Sequence, residues 1–302
     1  MRDPKISVII ITYFHEKYIR QALESVISQT LFSECEVLIG DDGSRDQTVE
    51  ILQLYKKQYS NIKIFAHENQ GISRNVYNLF CMAKGNYIAI LEGDDYWIDN
   101  KKLEKQIEQI EKNGCIAAAG NSKIVDDNGK CYGYKNKRQI DCIVGKKEVE
   151  QYQTDLFMPS AVMFRNIFLN SEDKYLVIAN ASRMGGNHSG IINLLGNSGM
   201  IYLSVEPYAV WRQNIVKKST NYSSQNHDSF LDFYEALRKY IAYNNAFDLN
   251  YSKTIKQLYS NCIESLKKET KTSIGKKLYW ECICYNLCRR IYRFVISCMK
   301  KR

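Results

Sequence analysis

NYIAILEGDDYW, residues 86–97, is the stretch on which the reading of the fold turns. Its first half, NYIAIL, has the length and apolar continuity of a strand buried on both faces. The run then breaks into three carboxylates, Glu92, Asp94 and Asp95, with only Gly93 among them and two aromatics behind. Carboxylates this close repel and raise one another's pKa unless a cation or donor groups neutralise them.

Working outward, strand and helix patterns alternate through the first 120 residues. KISVIIIT (5–12), CEVLIG (35–40) and NIKIFA (61–66) read as strands, and CIAAAGNS (115–122) as another. Between them KYIRQALESVISQT (17–30), a segment around Val49, Ile51, Leu52 and Tyr55, SRNVYNLFCMA (73–83) and KKLEKQIEQIEKNG (101–114) carry helical spacing. Ser44 or Asp46 is placed to cap the second helix, and Gly114 to end the fourth. This order calls for an α/β fold with a mostly parallel, Rossmann-like sheet and helices on both faces. Such sheets bind ligands beyond the carboxyl ends of their strands, where strand order reverses. TYFHE (12–16), DDGS (41–44) and EGDD (92–95) all fall there.

Carboxylates at a strand end suit a hard divalent cation that bridges one or two of them to substrate phosphates. The plainer role is a helix cap, but Asp99 already fills it, leaving Glu92, Asp94 and Asp95 over. Asp41 reads as a turn residue beside Gly43, and Asp42 as an acceptor for a base or ribose group. Thr12 offers a backbone contact and Tyr13 an aromatic face, though Tyr13 serves equally well in a core.

These residues carry a resemblance. SVIIITYFHEKYIRQALESVISQT, EVLIGDDGSRDQT, NQGISRNVYNLFCMAKGNYIAILEGDDYW and MPSAVMFR (158–165) resemble family 2 glycosyltransferases, in that family's order. The resemblance implies an A-type glycosyltransferase fold, Mg2+ or Mn2+, and transfer from a nucleotide-sugar with inversion. By position it puts Thr12, Tyr13 and Glu16 beside the nucleotide and Asp42 on the base, usually uracil. It puts Asn69, Gly71 and Arg74 around the nucleotide pocket, Asp94 on ribose or metal, and Asp95 on the metal. It also implies an acceptor that is a glycan or a lipid-linked glycan of a cell-surface polysaccharide.

The chain departs from the family on the acceptor side. GGNHSGIINLLG (185–196) has Asn187 where the basic Asp is expected, and an amide cannot accept a proton. His188 next door can, since imidazole titrates near neutrality. WRQN (211–214) keeps Trp211 and Arg212 but has Asn214 in place of a His. Two readings stand open: a relocated base, or a catalytically weak or inactive nucleotide-sugar-binding partner protein.

The formal charge of +9 sits entirely in residues 267–302, where 11 Lys or Arg face Glu269 and Glu281. A neutral body with a basic tail excludes a nucleic-acid binder with a basic stripe across its domain. No GxGxxG follows the first strand, which argues against a dinucleotide-dependent oxidoreductase. LYWECICYNLCRRIYRFVISCMKKR (278–302) carries too many charges for a membrane span and suits a helix lying on anionic lipid, or one packed on the domain. The expected organisation is a glycosyltransferase domain at 1–225, with a donor half (1–120) and an acceptor half (121–225), then a helical basic tail at 226–302. KISVIIIT is too short for a signal h-region, so the ten cysteines are expected reduced, in a cytoplasmic protein peripheral on the inner face of the membrane.

Overall fold

A computed structural model describes residues 4–152, 155–169, 174–181, 186–213, 230–247 and 252–269. Strand β1 (Ile6–Thr12) is buried at all seven positions. Each Ile or Val taken from water there contributes about 1.5–3 kcal/mol. It pairs in parallel with β2 (Cys35–Asp41) on one side and β4 (Tyr87–Glu92) on the other. Strand β3 (Ile62–Ala66) adds in parallel outside β2. The order β3-β2-β1-β4 therefore reverses at β1, so the carboxyl ends of β1 and β4 are the switch point at which such sheets bind ligands.

Helices α1 (Ile19–Ile27), α2 (Thr48–Gln58) and α3 (Ile72–Met82) make the crossovers, and α4 (Lys102–Asn113) follows β4. Their apolar spacing does the packing: α1 buries Ile19, Ala22, Leu23 and Val26 along one stripe. Gly114 ends α4 in the left-handed conformation that the sequence required of it. Asp46 caps α2 from one residue outside, its Oδ1 accepting both N–H and Oγ1–H of Thr48.

Beyond β4 the sheet is mixed. Strand β6 (Ala117–Val125) does not lie against β4, because β9 (Val162–Arg165) is inserted antiparallel to both. Strand β10 (Ile201–Arg212) runs parallel to β6. Three short strands, β5 (Tyr96–Trp97), β7 (Cys131–Tyr134) and β8 (Cys142–Val144), pair antiparallel with β10, β6 and β10. The all-parallel part of the sheet is thus β3-β2-β1-β4 in the donor half, where each crossover carries a helix. A helix expected near 188–196 is α7 (Ile191–Ser198), preceded by a wide turn at Gly186–Gly190. Helices α5 (Lys146–Tyr152) and α6 (Lys174–Ala181) were not legible, α6 because KYLVIANA is apolar over most of its circumference.

By compactness the chain divides into Met1–Gln225 with Arg238–Tyr251, and Asn226–Leu237 with Ser252–Arg302. Helices α8 (Phe230–Phe247) and α9 (Ser252–Glu269) occupy the C-terminal region, and α9 buries Ile255 and Cys262. Among the described residues no helix is long and apolar enough to cross a membrane. Among the described residues, Cys35, Cys81, Cys115, Cys131 and Cys142 are free thiols. The segment 278–302, expected to lie on anionic lipid or to pack on the domain, lies outside the described residues.

At the N-terminal ends of the strands, the buried Glu36 carboxylate accepts from the Ser7 hydroxyl (2.8 Å), the Lys84 N–H (2.7 Å) and Lys63 Nζ (3.0 Å). Burial alone would push its pKa up, but these donors outweigh burial and hold it below its ordinary value.

Candidate active site

Strand register brings the three motifs to one level: Thr12 lies beside Asp41, and Ile11 beside Glu92. The Asp42 N–H donates to the Thr12 carbonyl (3.0 Å) and the Gly93 N–H to the Ile11 carbonyl (2.8 Å). Gly93 is required by close approach, since a Cβ there would stand 2.8 Å from His15 Nδ1 and 2.9 Å from Thr12 Oγ1. Those two atoms are themselves buried without a hydrogen-bond partner. An unsatisfied buried polar atom costs about 1–3 kcal/mol, which marks this turn as something other than a helix entry. His15 Nε2 lies 3.9 Å from the Asp94 carboxylate.

Asp95 is buried beneath the turn. Its Oδ2 accepts from the Ser160 hydroxyl (2.6 Å) and its Oδ1 from the Arg212 N–H (3.0 Å). Burial first, then the neighbouring charges of Asp94 and Glu92, push its pKa well above the usual carboxylate range. Ser160 also accepts from the Glu92 N–H (3.1 Å), and its carbonyl receives Trp97 Nε1–H (2.7 Å). Ser160 sits in the MPSAVMFR stretch that carried the resemblance, but nothing in that stretch signalled a partner for Asp95.

The loop after β1 is laced to the loop after β2. Phe14, His15 and Glu16 donate their N–H groups to Ser44, Thr48 and Asp46, while the Glu16 carboxylate accepts the Gln47 N–H (3.0 Å). Glu16 is thus engaged in fixing the loop. Tyr13 is 45% exposed, which excludes a core role, and its ring meets Phe14 edge-on at 4.5 Å. Phe14, itself 44% exposed, takes φ +57°, a conformation disfavoured for a bulky residue. Phe14 and its strained backbone, set beside the expected Tyr13, were not anticipated.

Asp41 is the turn residue expected, accepting from Gly43 and Ser44 N–H groups. Asp42 accepts from the Gln70 N–H (2.8 Å) and the Gly71 N–H (3.0 Å), so it fastens the β3–α3 loop. Asn69 is exposed on that loop, its backbone against Gly43. Arg74 points elsewhere, donating to Asn180 on α6 (3.0 Å).

On the acceptor side, Arg212 clamps the acidic turn. Its guanidinium donates to the Asp94 carbonyl and to Gln21 Oε1, and lies 4.8 Å from the ring centroids of both Tyr18 and Tyr96. Trp211 faces Lys135 Nζ at 5.6 Å. His188 hydrogen-bonds the Phe157 carbonyl through Nε2, which leaves Nδ1 for any proton. Burial pushes its pKa down to about 4. The backbone of Asn187 lies in the turn at Gly186–Gly190, its side chain and Asn214 lying outside what is described.

The profile of Glycosyl transferase family 2 matches residues 7–170. The chain belongs to glycosyltransferase family 2. A protein of Mycobacterium tuberculosis is 36% identical over 110 residues, 36% of this chain and 32% of that protein. An "uncharacterized glycosyltransferase" of Mycoplasma pneumoniae is 28% identical over 238 residues, 77% of this chain and 76% of that protein. The chain spans about a third of the length of the first curated relatives it matches. The crystal structure of S. aureus TarS in complex with UDP-GlcNAc covers 89% of this chain and 73% of its own, with TM-score 0.60 and 22% identity. That likeness, with the family, establishes the A-type glycosyltransferase fold.

For a metal, the donor set fits. Among the described residues no three His, Cys, Asp or Glu side chains converge to hold an ion alone. Mg2+ and Mn2+ need only one or two carboxylates when substrate phosphates and water complete the shell. Asp95, its charge disfavoured by burial and by two neighbouring carboxylates, is a group that such an ion would relieve.

Proposed function

We propose that the chain is an inverting glycosyltransferase using a nucleotide-sugar, specifically a UDP-sugar, as donor. The observation that carries this is the Asp95 carboxylate, raised in pKa by burial first and then by Asp94 and Glu92, at the switch point where the Thr12 and Asp42 strand ends also lie. Relatives of this fold solved with UDP-GlcNAc and with UDP support the donor class. Asp95 and Asp94 would hold Mg2+ or Mn2+, which when bound offsets charge on the departing diphosphate. Tyr13 and Phe14 would offer a face to the base, Asp42 a carboxylate as acceptor, and the Asn69–Gly71 loop the pocket floor. The acceptor is a glycan or a lipid-linked glycan, brought to the Trp211 and Arg212 side. The basic segment 267–302 supports a position on an anionic membrane face, and the neutral body supports the absence of nucleic acid.

A second reading rests on the acceptor side. Asn187 cannot take a proton, and His188, with Nε2 on Phe157 and a pKa of about 4, is a weak base. A catalytically weak nucleotide-sugar-binding partner is consistent with both.

Thermal midpoints with UDP and UDP-sugars, with and without Mn2+, on wild type and Asp95→Asn test the donor site. A Mn2+-dependent rise in wild type that Asp95→Asn loses is the expected result. No rise with any nucleotide rejects both readings. Release of UDP in the presence of candidate glycans then separates the enzyme from the binding partner.

A further inference from the structure

Lys102 opens α4 with its side chain fully buried. Desolvation and the positive end of the helix both oppose a charge there, and burial pushes its pKa well below that of an ordinary lysine. None of the donor-site roles above uses it. Its Nζ donates to Gln106 Oε1 at 2.6 Å and lies 4.1 Å from the centroid of the Trp97 ring.

Both neighbours end on the same short turn. Trp97 Nε1–H donates to the Ser160 carbonyl (2.7 Å). Gln106 Nε2 donates to the Ala161 carbonyl (2.9 Å) and to the Ala118 carbonyl on β6 (2.7 Å). With its oxygen held by the Lys102 amine, the Gln106 amide has only one useful orientation, because a flipped amide would set oxygen against two carbonyls. The two successive carbonyls of Ser160 and Ala161 are thereby pinned, and the Ser160 hydroxyl is aimed at Asp95 Oδ2 (2.6 Å).

We propose that Lys102 is a positioning residue for the Asp95 carboxylate, acting through Gln106 and Trp97 on the Ser160 turn. An apolar side chain of similar length would fill the space but orient neither the amide nor the indole. The inference rests on Asp95 being the metal-side carboxylate of the proposed donor site.

A double-variant cycle tests it, reading the Mn2+ concentration that half-saturates UDP binding by calorimetry, alongside thermal midpoints. The proteins are wild type, Lys102→Met, Ser160→Ala and the pair. Lys102→Met is expected to need about tenfold more Mn2+ in the wild-type background. In the Ser160→Ala background it is expected to add about twofold or less, since the route to Asp95 is already cut. No loss in the wild-type background, or an equal loss in both, overturns the role of Lys102. Wild type without Mn2+-dependent UDP binding overturns the donor-site reading itself, and this inference falls with it. Should Lys102→Met not fold, Lys102→Leu, a shorter apolar side chain with no donor for Gln106 Oε1, takes its place and the same outcomes decide.

Discussion

Arg212 reaches the acidic turn twice: its N–H lies 3.0 Å from Asp95 Oδ1, and its guanidinium donates to the Asp94 carbonyl. The two residues are 117 positions apart, so the last residue of β10 closes a turn written at the end of β4. Stacking between Tyr18 and Tyr96 fixes the planar group in place, which a lysine would not reproduce. Arg212→Lys keeps the backbone contact and loses the fork and both stackings. It should cost about 1–2 kcal/mol of stability and lower UDP affinity, read as a lower thermal midpoint and a weaker calorimetric Kd. An unchanged midpoint and Kd would mean that the clamp is idle.

Gly93→Ala tests the crowding of the site from below. The added methyl would meet Thr12 Oγ1 and His15 Nδ1 inside 3 Å, so one of the two loops has to move. Overpacking of this kind costs about 1–3 kcal/mol. The variant should remain folded by circular dichroism while losing the UDP- and Mn2+-dependent rise in midpoint. Retention of the full rise would show that the β1 loop and the acidic turn move independently.

The donor half was legible because periodicity there is strong and the chemistry sits at strand ends. Continuous apolar runs at 5–12, 35–40 and 86–91 became β1, β2 and β4, and the carboxylates that end β2 and β4 lie together at the candidate site. What lay outside the sequence was pairing at long range. Strand β9 entering between β4 and β6, and the two-residue strand Tyr96–Trp97, have no period of their own to read. Ser160, Tyr18, Tyr96 and Gln21 are ordinary residues whose importance arises only once β9 and β10 bring their neighbours together. Arg74 shows the reverse case, a residue expected at the nucleotide that the packing of α3 on α6 turns toward Asn180.

Glu36 should set part of the acid limit of stability. Its folded-state pKa lies below the ordinary value because Lys84, Ser7 and Lys63 favour the ionised form against burial. The contribution is therefore complete above the unfolded value of about 4.5 and is lost as pH falls through the lower folded value. Denaturant midpoints of wild type should drop steeply below about pH 4.5. Glu36→Gln should be less stable than wild type at pH 7, with a shallower decline on the acid side. Parallel curves for the two proteins would remove Glu36 from the account.

His188 decides whether the acceptor side can work as a general base. Its Nε2 braces the Phe157 carbonyl, three residues before Ser160, and its pKa is pushed down to about 4. The fold thus prefers the neutral ring. As pH falls from the unfolded value of about 6.5 the unfolded chain protonates first, so stability declines until about pH 4 and then levels off. His188→Gln should abolish that segment of the decline. A general base contributes about 10²–10⁴ in rate, whereas a brace contributes through position alone. The geometry favours the brace: glycosyl transfer by His188→Gln should fall by about tenfold or less, with the wild-type pH profile unchanged in shape. A loss of about a thousandfold, with disappearance of an acid-side limb, would instead make His188 the relocated base beside Asn187.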